Sequence, residues 1–483
     1  MQSDDEGAVD AQATAAFNDE PDTNTGYFGP SSNHALFRSL SNAFAQFIST
    51  TLPLRARLPP ASTITLRRSP SRAATRSKAG IFGQERPHAS TLLALPSDRE
   101  ASTMVDQFFS TVATVLPIVS KADVVSECNR LRRPDSPALK PSSRALLNII
   151  FAHVSKSSKD SEAEIFYRRA LASLDQGTLR GATIELLQAL LLIAIFQQNN
   201  QRSIASWTFH ALAVKTAYQL GLQSESAYKE YGLQESQLRR RLWYAVIHQD
   251  RILSLLLGRP CLVPQSHIRT EKPITSQLLY QNMPTIIAER TDGLIYYSRV
   301  IDLWDILGDA LHQLYEDNVE PDSSLSAQEI VTRRLKLQWK LDNWRQDTIR
   351  IHGLISEPEL DHISSSSYDS IRFRIMLSLQ YCYAIMLIDR PILCKLLATH
   401  AQNHNVEQDV ESVLGYAVIV VENDYQAIKD LLHIINAICT CDEPFVDRNG
   451  AWWLCNYTSK CLLTRFASSQ LVQLSPSLSR SKC

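Results

Sequence analysis

The residues that could do chemistry in this chain are thiols, imidazoles and a run of guanidiniums. Four cysteines, Cys439, Cys441, Cys455 and Cys461, lie close together near the C-terminal end. Four thiolates can close a tetrahedral zinc site, which takes short paired spacings. Here the gaps are one residue, then thirteen, then five, no C-x-x-C occurs anywhere, and the nine cysteines are an odd number. The spacing matches no standard zinc site, so these thiols read as helix-borne core groups in a reduced intracellular protein. His248 and His267 flank the turn Gly258-Arg259-Pro260. A histidine pair can carry protons. No carboxylate or nucleophile is spaced to work with it, which favours structural histidines. Arg239, Arg240 and Arg241 form the strongest positive cluster of the middle region. On a helix three adjacent side chains fan over roughly 200°, so they cannot all face one phosphate groove. Ion pairing explains them better, with Glu235 four residues before Arg239.

Other chemistries lack their residues. With only 15 glycines there is no phosphate-cradling loop, no G-x-S-x-G and no H-E-x-x-H. Asp4-Asp5 is the sole acidic pair that a metal-dependent helical enzyme of terpene type would want, and it lies in the polar N-terminal tail. The expectation is therefore a protein that is not an enzyme. The net charge of −1 gives no field that would pull the molecule onto DNA or an acidic membrane. The longest apolar run, near 186–196, is too short to span a bilayer, and no membrane partner is expected.

The elements that must position these residues read as helices. Trp207, Ala211, Val214 and Tyr218 recur at helical spacing in 202–220, with Ser203 or Ser206 as cap and Gly221 as stop. Leu238, Leu242, Val246, Leu253 and Leu256 line one face of 234–257, stopped by Gly258 and Pro260. Comparable segments fall at 101–116, 142–155, 161–175, 182–197, 290–315, 325–346, 368–389, 408–440 and 450–472. Strand alternation is nearly absent and no repeat period emerges. The expected fold is all-α: a large multi-helix array with short loops behind a disordered N-terminal tail. Residues 1–25 carry seven acids and no Lys or Arg, a composition that cannot bury a core. Residues 51–90 carry eight Lys or Arg against the single acid Glu85. They read as a solvated tether, a nuclear-import signal, a nonspecific nucleic-acid arm, or the translation of a retained intron.

One stretch resembles a known family. Trp207 lies on a helix ending at Leu220-Gly221-Leu222; Glu235, the arginines and Leu242-Trp243 follow, then Asp250-Arg251 and Gly258-Arg259-Pro260. That succession is similar to the middle homology region of fungal binuclear zinc-cluster transcription factors. Leu95-Pro96-Ser97, Phe108-Phe109, Leu116-Pro117-Ile118, the helix from Glu185 to Leu192, Leu341 to Trp344 and Asp389-Arg390-Pro391 extend it. Phe28-Gly29-Pro30-Ser31-Ser32 resembles the short stretch those factors carry before the regulatory domain.

The resemblance implies a nuclear transcription regulator, with residues 1–94 as linker, 95–400 as regulatory domain and 401–483 as helices continuing it. It implies structural roles for Trp207, Gly221, Arg240, Arg241, Trp243, Asp250, Arg251, Gly258, Arg259 and Pro260. Asp250 and Arg251 would lock packing, Gly258 would take a left-handed cap, and Arg259 would meet the helix's C-terminal carbonyls. The family's six-cysteine, two-zinc DNA-binding module has no counterpart here. No cofactor is expected in this chain, zinc only in a missing N-terminal cluster, and DNA contact only through that module or a partner. Transcription machinery or co-regulators, a second copy of the chain and a small-molecule effector are the partners implied. The alternative is a helical ligand- or partner-sensing module without direct DNA binding, its pocket lined by Trp207, Tyr218, Trp243 and Tyr244.

Overall fold

Start signals written in the sequence become helix N-termini in the computed structural model, which describes residues 27–51, 96–131, 139–157, 162–200, 202–274, 288–319, 325–351, 353–355, 368–401 and 408–440. Ser97 accepts from the Glu100 amide while the Glu100 carboxylate takes the Ser97 amide, a reciprocal box that opens Asp98–Ser110. Ser326 and Glu329 repeat the device before Ala327–Ile351. Asp175 and Thr183 cap the starts at Gln176 and Ile184 through their side-chain oxygens.

Among the described residues every regular element is helical. In chain order the α-helices are α1 Asn33–Thr51, α2 Asp98–Ser110, α3 Val112–Val115, α4 Lys121–Leu131, α5 Pro141–Ser157, α6 Ala163–Ala172, α7 Gln176–Arg180, α8 Ile184–Asn199, α9 Ser203–Gln219, α10 Leu233–Leu257, α11 Ala288–Leu314, α12 Ala327–Ile351, α13 Tyr368–Ala401 and α14 Gln408–Thr440. The all-α expectation holds, and ten of these elements fall where periodicity puts them within a few residues. Helices α1, α4 and α7 were not anticipated. The α13 helix runs on past Asp389 with Pro391 inside it, where a stop was expected. The acidic stretch 1–25, nearly all of the basic 51–90, the helix at 450–472 and the side chains of Cys439, Cys441, Cys455 and Cys461 lie outside the described residues.

Two apolar cores share one wall. The first gathers Val105 and Phe108 of α2, Ile149 and Phe151 of α5, Phe166 of α6, most of α8, Phe209 of α9 and the first half of α10. The second gathers Leu36 and Leu40 of α1, Leu303 and Leu307 of α11, Leu337 and Leu341 of α12, Leu377 and Leu387 of α13 and Leu431 of α14. The α10 and α11 helices contribute to both. α8 is apolar all round and buried accordingly. The same holds for Ile371–Leu397 within α13. By length and composition it could cross a membrane, at mean hydropathy 1.4, yet 89% of its apolar window is buried inside the fold. It is a core helix, longer than the apolar run at 186–196.

The stripe assigned to α9 needs correction. Trp207, Ala211 and Tyr218 are only half-buried. The face that packs inward is Ser203, Ser206, Phe209, His210, Ala213, Val214, Thr216 and Ala217. Small and polar residues let α8 and α9 approach closely, so the inward face is not the most apolar one. Nor does Ser203 or Ser206 cap the helix, since its N-cap is Arg202, with no side-chain hydrogen bond.

Candidate functional site

The residues singled out in 205–268 converge on the two ends of α10. At its start the three arginines are held by their own chain. Arg239 Nε donates to Glu235 at 2.8 Å and the guanidinium lies 3.7 Å from the Tyr231 ring centroid. Arg240 pairs with Glu225 and with Glu271 at 2.8 Å. Arg241 Nε donates to the Pro117 carbonyl at 2.7 Å, tying α10 to the loop after α3. Ion pairing and backbone capture account for the cluster, as expected. Trp243 is fully buried beneath them, its ring edge-on to Tyr218 at 5.7 Å.

At the far end Asp250 organises the chain reversal. Its carboxylate accepts the amides of Leu262 and Val263 at 3.0 Å each, the Arg251 guanidinium at 2.9 Å and His210 Nε2 at 3.3 Å. Arg251 also donates to the Val263 carbonyl at 2.9 Å. The buried pair thus fastens the 258–268 loop down onto α9 and α10. His248 and His267 have separate partners. His248 packs edge-on to Trp304 at 4.8 Å, and burial holds it neutral with a pKa lowered to about 3. His267 Nδ1 meets the Tyr218 hydroxyl at 2.8 Å. Neither is placed for acid–base work. The aromatic set Trp207, Tyr218, Trp243 and Tyr244 is not one pocket: Tyr218 and Trp243 touch, Trp207 stacks on Arg259, and Tyr244 donates to the Thr270 carbonyl.

Gly221 and Gly258 behave as read. Gly221 takes φ +70° and closes α9, with the Leu222 amide donating back to Ala217. Gly258 takes φ +63° after α10, and Pro260 follows, exposed, at the reversal. Arg259 differs from its expected role. Its Nε donates to the Tyr27 carbonyl at 3.2 Å, and its guanidinium sits against the rings of Phe28 at 5.9 Å and Trp207 at 4.7 Å. The motif turn is therefore a socket, and its plug is the N-terminal stretch Tyr27–Asn33.

That strap is held by backbone. The Gly29 amide donates to the Gly258 carbonyl at 2.9 Å. A Cβ on Gly29 would lie 2.3 Å from that oxygen, and one on Gly258 would lie 2.3 Å from the Gly29 nitrogen. Only two glycines can approach so closely. Ser31 Oγ donates to the Ser254 carbonyl at 3.2 Å, satisfying part of the last turn of α10. Arg390 of α13 donates to the Ser31 carbonyl at 2.7 Å and to Asn33 Oδ1 at 3.3 Å. Asn318 completes the wall: its Oδ1 accepts the Ser31 amide at 3.1 Å and its Nδ2 donates to Ser254 O at 3.3 Å. Glu316, Asp317 and Asn318 reach that position through three successive left-handed residues, φ 48°, 54° and 59°. Such conformations cost energy in non-glycine residues, and they persist where the surrounding structure needs them.

Sequence reasoning noted Phe28 to Ser32 and Arg390 as separate likenesses and missed that they meet. Asn318 and His210 carried no signal, because a lone Asn in a loop and a His on a helix have no spacing to read. Among the described residues no three His, Cys, Asp or Glu side chains come together to hold a metal. No disulfide joins the described thiols Cys128, Cys261, Cys382 and Cys394, and burial raises Cys261 to about 11. The residues described do not fit a zinc cluster.

The sequence profile of the fungal specific transcription factor domain matches residues 105–346, half of the chain. The chain belongs to this family. Its relatives include transcription factor FBD3 of Gibberella moniliformis, 23% identical over 394 residues, which are 79% of this chain and 52% of the relative. The lactose regulatory protein LAC9 of Kluyveromyces lactis is 28% identical over 165 residues, 34% of this chain and 18% of the relative. The acetamidase regulatory protein of Emericella nidulans is 28% identical over 172 residues, 35% of this chain and 21% of the relative. The chain spans about half the length of the FBD3 relatives it matches. No solved structure gives a significant match. The fungal transcription factor domain match takes in every motif residue from Trp207 to Pro260, whereas the strap and Arg390 lie outside it.

Proposed function

We propose that this chain is the regulatory part of a nuclear transcription regulator, in which the helical array receives a signal or a co-regulator and controls activation. The observation that carries the reading is membership of the fungal specific transcription factor domain family across the array's centre. The geometry fits a domain that does not itself read bases. The clustered arginines are consumed within the chain, and the net charge of −1 supplies no attraction for phosphate. DNA contact then falls to a module or partner outside the array, and any zinc to a cluster outside these residues. Residues 95–400 are the regulatory domain on this reading, 401–483 continue it, and no reaction is assigned to it.

The strap has a place in this scheme. Whatever lies before Tyr27 is tied through Gly29, Ser31 and Asn33 to the end of α10, to Asn318 just beyond α11 and to Arg390 within α13. A change in the array's packing is thereby felt at the strap. The reading is tested by fusing residues 1–483 to a DNA-binding domain of known operator and measuring a reporter in fungal cells. Reporter output that departs from the DNA-binding domain alone, with the fusion in nuclei, is expected. A fusion kept out of nuclei, or one without effect on the reporter at equal abundance, overturns the proposal.

A further inference from the structure

Arg390 and Asp424 lie in the same interior, and each lacks the partner that the other would supply. Arg390 of α13 is 2% exposed, and its hydrogen bonds go to neutral acceptors of the strap, Nη1 to the Ser31 carbonyl at 2.7 Å and Nη2 to Asn33 Oδ1 at 3.3 Å. Its Nε is buried without a partner. Asp424 of α14 is 0% exposed, and neither carboxyl oxygen has a hydrogen bond among the described residues. A buried ion without a counter-ion is costly, and a buried carboxyl without one keeps its proton.

The neighbours narrow the choice of counter-ion. Asp389 and Arg390 of α13 and Arg334 of α12 are the charged groups that act on Asp424. Arg334 is already spent: its Nε and Nη2 hold Asp389, and its Nη1 donates to the Tyr416 hydroxyl of α14 at 2.6 Å. Asp389 repels a second negative charge. Tyr315 and Cys394, which face Arg390, are held neutral by burial. Within this group Arg390 is the cation not yet matched to a carboxylate, and Asp424 is the carboxyl not yet matched to a cation. With the proton on Asp424 the group holds two guanidiniums against one carboxylate, and without it two against two.

We propose that Arg390 is a latch with two positions: it holds the strap while Asp424 carries its proton, and it turns to the Asp424 carboxylate when that proton leaves for solvent, releasing the strap. The two positions use one guanidinium and exclude each other, as a two-state element requires. Burial first and the Asp389 charge second raise Asp424 well above the ordinary carboxyl range. The closed latch is therefore the low-pH state, complete below the raised value and lost as pH rises through it. The latch is a property of the array itself and does not depend on the reading in transcription.

Hydrogen exchange of the 1–483 chain between about pH 5 and 9, the span a buried carboxyl can reach, tests it, with each rate corrected for the intrinsic effect of pH. The reporters are the Gly29 and Ser31 amides, which donate to Gly258 and Asn318. Their opening is expected to rise about tenfold per pH unit once Asp424 ionises, the slope of one proton, while amides of α14 open by a smaller factor. Asp424→Asn copies the protonated carboxyl and is expected to keep the strap closed, without a slope. Arg390→Gln removes the charged donor and is expected to open the strap about tenfold or more at every pH, again without a slope. Should either variant fail to fold, the parent's profile at the strap against that at α14 carries the test. A strap without a slope, a slope that survives in Asp424→Asn, or an α14 that opens in step with the strap overturns the proposal. The last result would mean that the ionised carboxyl melts its own helix instead of recruiting Arg390.

Discussion

The two cores bury their polar groups in opposite ways. Apart from the Asp250–Arg251 pair at the α10 turn, the first buries neutral groups: Gln188 donates to the Ile118 carbonyl at 2.7 Å, Gln197 to the Tyr167 hydroxyl at 2.6 Å, and His153 Nε2 to the Leu192 carbonyl at 2.9 Å. In the second they are charged. Arg334 grips Asp389 through two hydrogen bonds, Asp424 lies fully buried nearby, and Arg372 and Arg390 run through the same interior. Neutral buried groups need only one good partner each. Buried ions need correct partners and correct geometry, and an ion left alone is costly. The first half is therefore an apolar scaffold. The second, which also receives the strap through Arg390, depends on a specific arrangement of charges.

The largest expected break in that comparison is Arg334→Ala. It leaves Asp389 buried without its cation and costs about 3–5 kcal/mol, read as a lowered urea midpoint. Replacing both partners, Arg334→Met with Asp389→Leu, recovers most of that loss, because the penalty belongs to the orphaned charge rather than to the missing bond. If the double variant is as unstable as the single, the second core needs its charges for more than mutual cancellation.

Sequence reading served both halves where the signal was local. Apolar periodicity is local, and it placed α2, α5, α6, α8, α9 and α10. The bland reading of Arg239 to Arg241 was also legible, because Glu235 sits one turn away. What escaped was everything decided by contacts distant in sequence. The inward face of α9 is polar and small, so hydropathy chose the wrong stripe. Arg259 was given to its own helix's carbonyls because the strap that captures it lies 232 residues earlier. The segment read as 368–389 runs on to Ala401 with Pro391 inside it, carried through by packing on both sides of α13.

Protonation sharpens the contrast, since His153 in the first core and the buried carboxyls of the second respond to pH with opposite sign, while His248 against Trp304 moves with His153. Burial lowers His153 from its ordinary value to about 4. Its folded pKa lies below its unfolded one, so its contribution is complete above about 6.5 and is lost as pH falls toward 4. Asp424 is raised by burial first and by repulsion from Asp389 second, with Arg334 and Arg390 opposing, and neither of its oxygens has a hydrogen-bond partner among the described residues. Its folded pKa lies above its unfolded one. That contribution is complete below about pH 4 and is lost as pH rises above it. Asp389, raised to about 6 mainly by burial, moves the same way. The His153 and Asp389 effects are each on the order of 3 kcal/mol. Hydrogen exchange at pH 5 and pH 7 separates them: amides of α5 and α8 are less protected at pH 5, those of α13 and α14 less protected at pH 7. His153→Gln flattens the first response and Asp424→Asn the second. Parallel responses in both halves would mean that the buried carboxyls do not hold the proton.

The smallest expected effect concerns the seam between the halves. Gly29→Ala puts a methyl group 2.3 Å from the Gly258 carbonyl, a contact that neither backbone can relieve without moving the strap. The strap's hydrogen bonds to Ser254, Asn318 and Arg390 are then loosened together, at about 1–2 kcal/mol. The loss is local. Exchange and proteolysis rise across residues 27–40 and at the α10 terminus, while α5 and α8 keep their protection. Because the strap feeds Leu36 and Leu40 into the second core alone, loosening that spreads to the first core would show that the shared wall of α10 and α11 couples the two halves more tightly than their separate polar interiors imply.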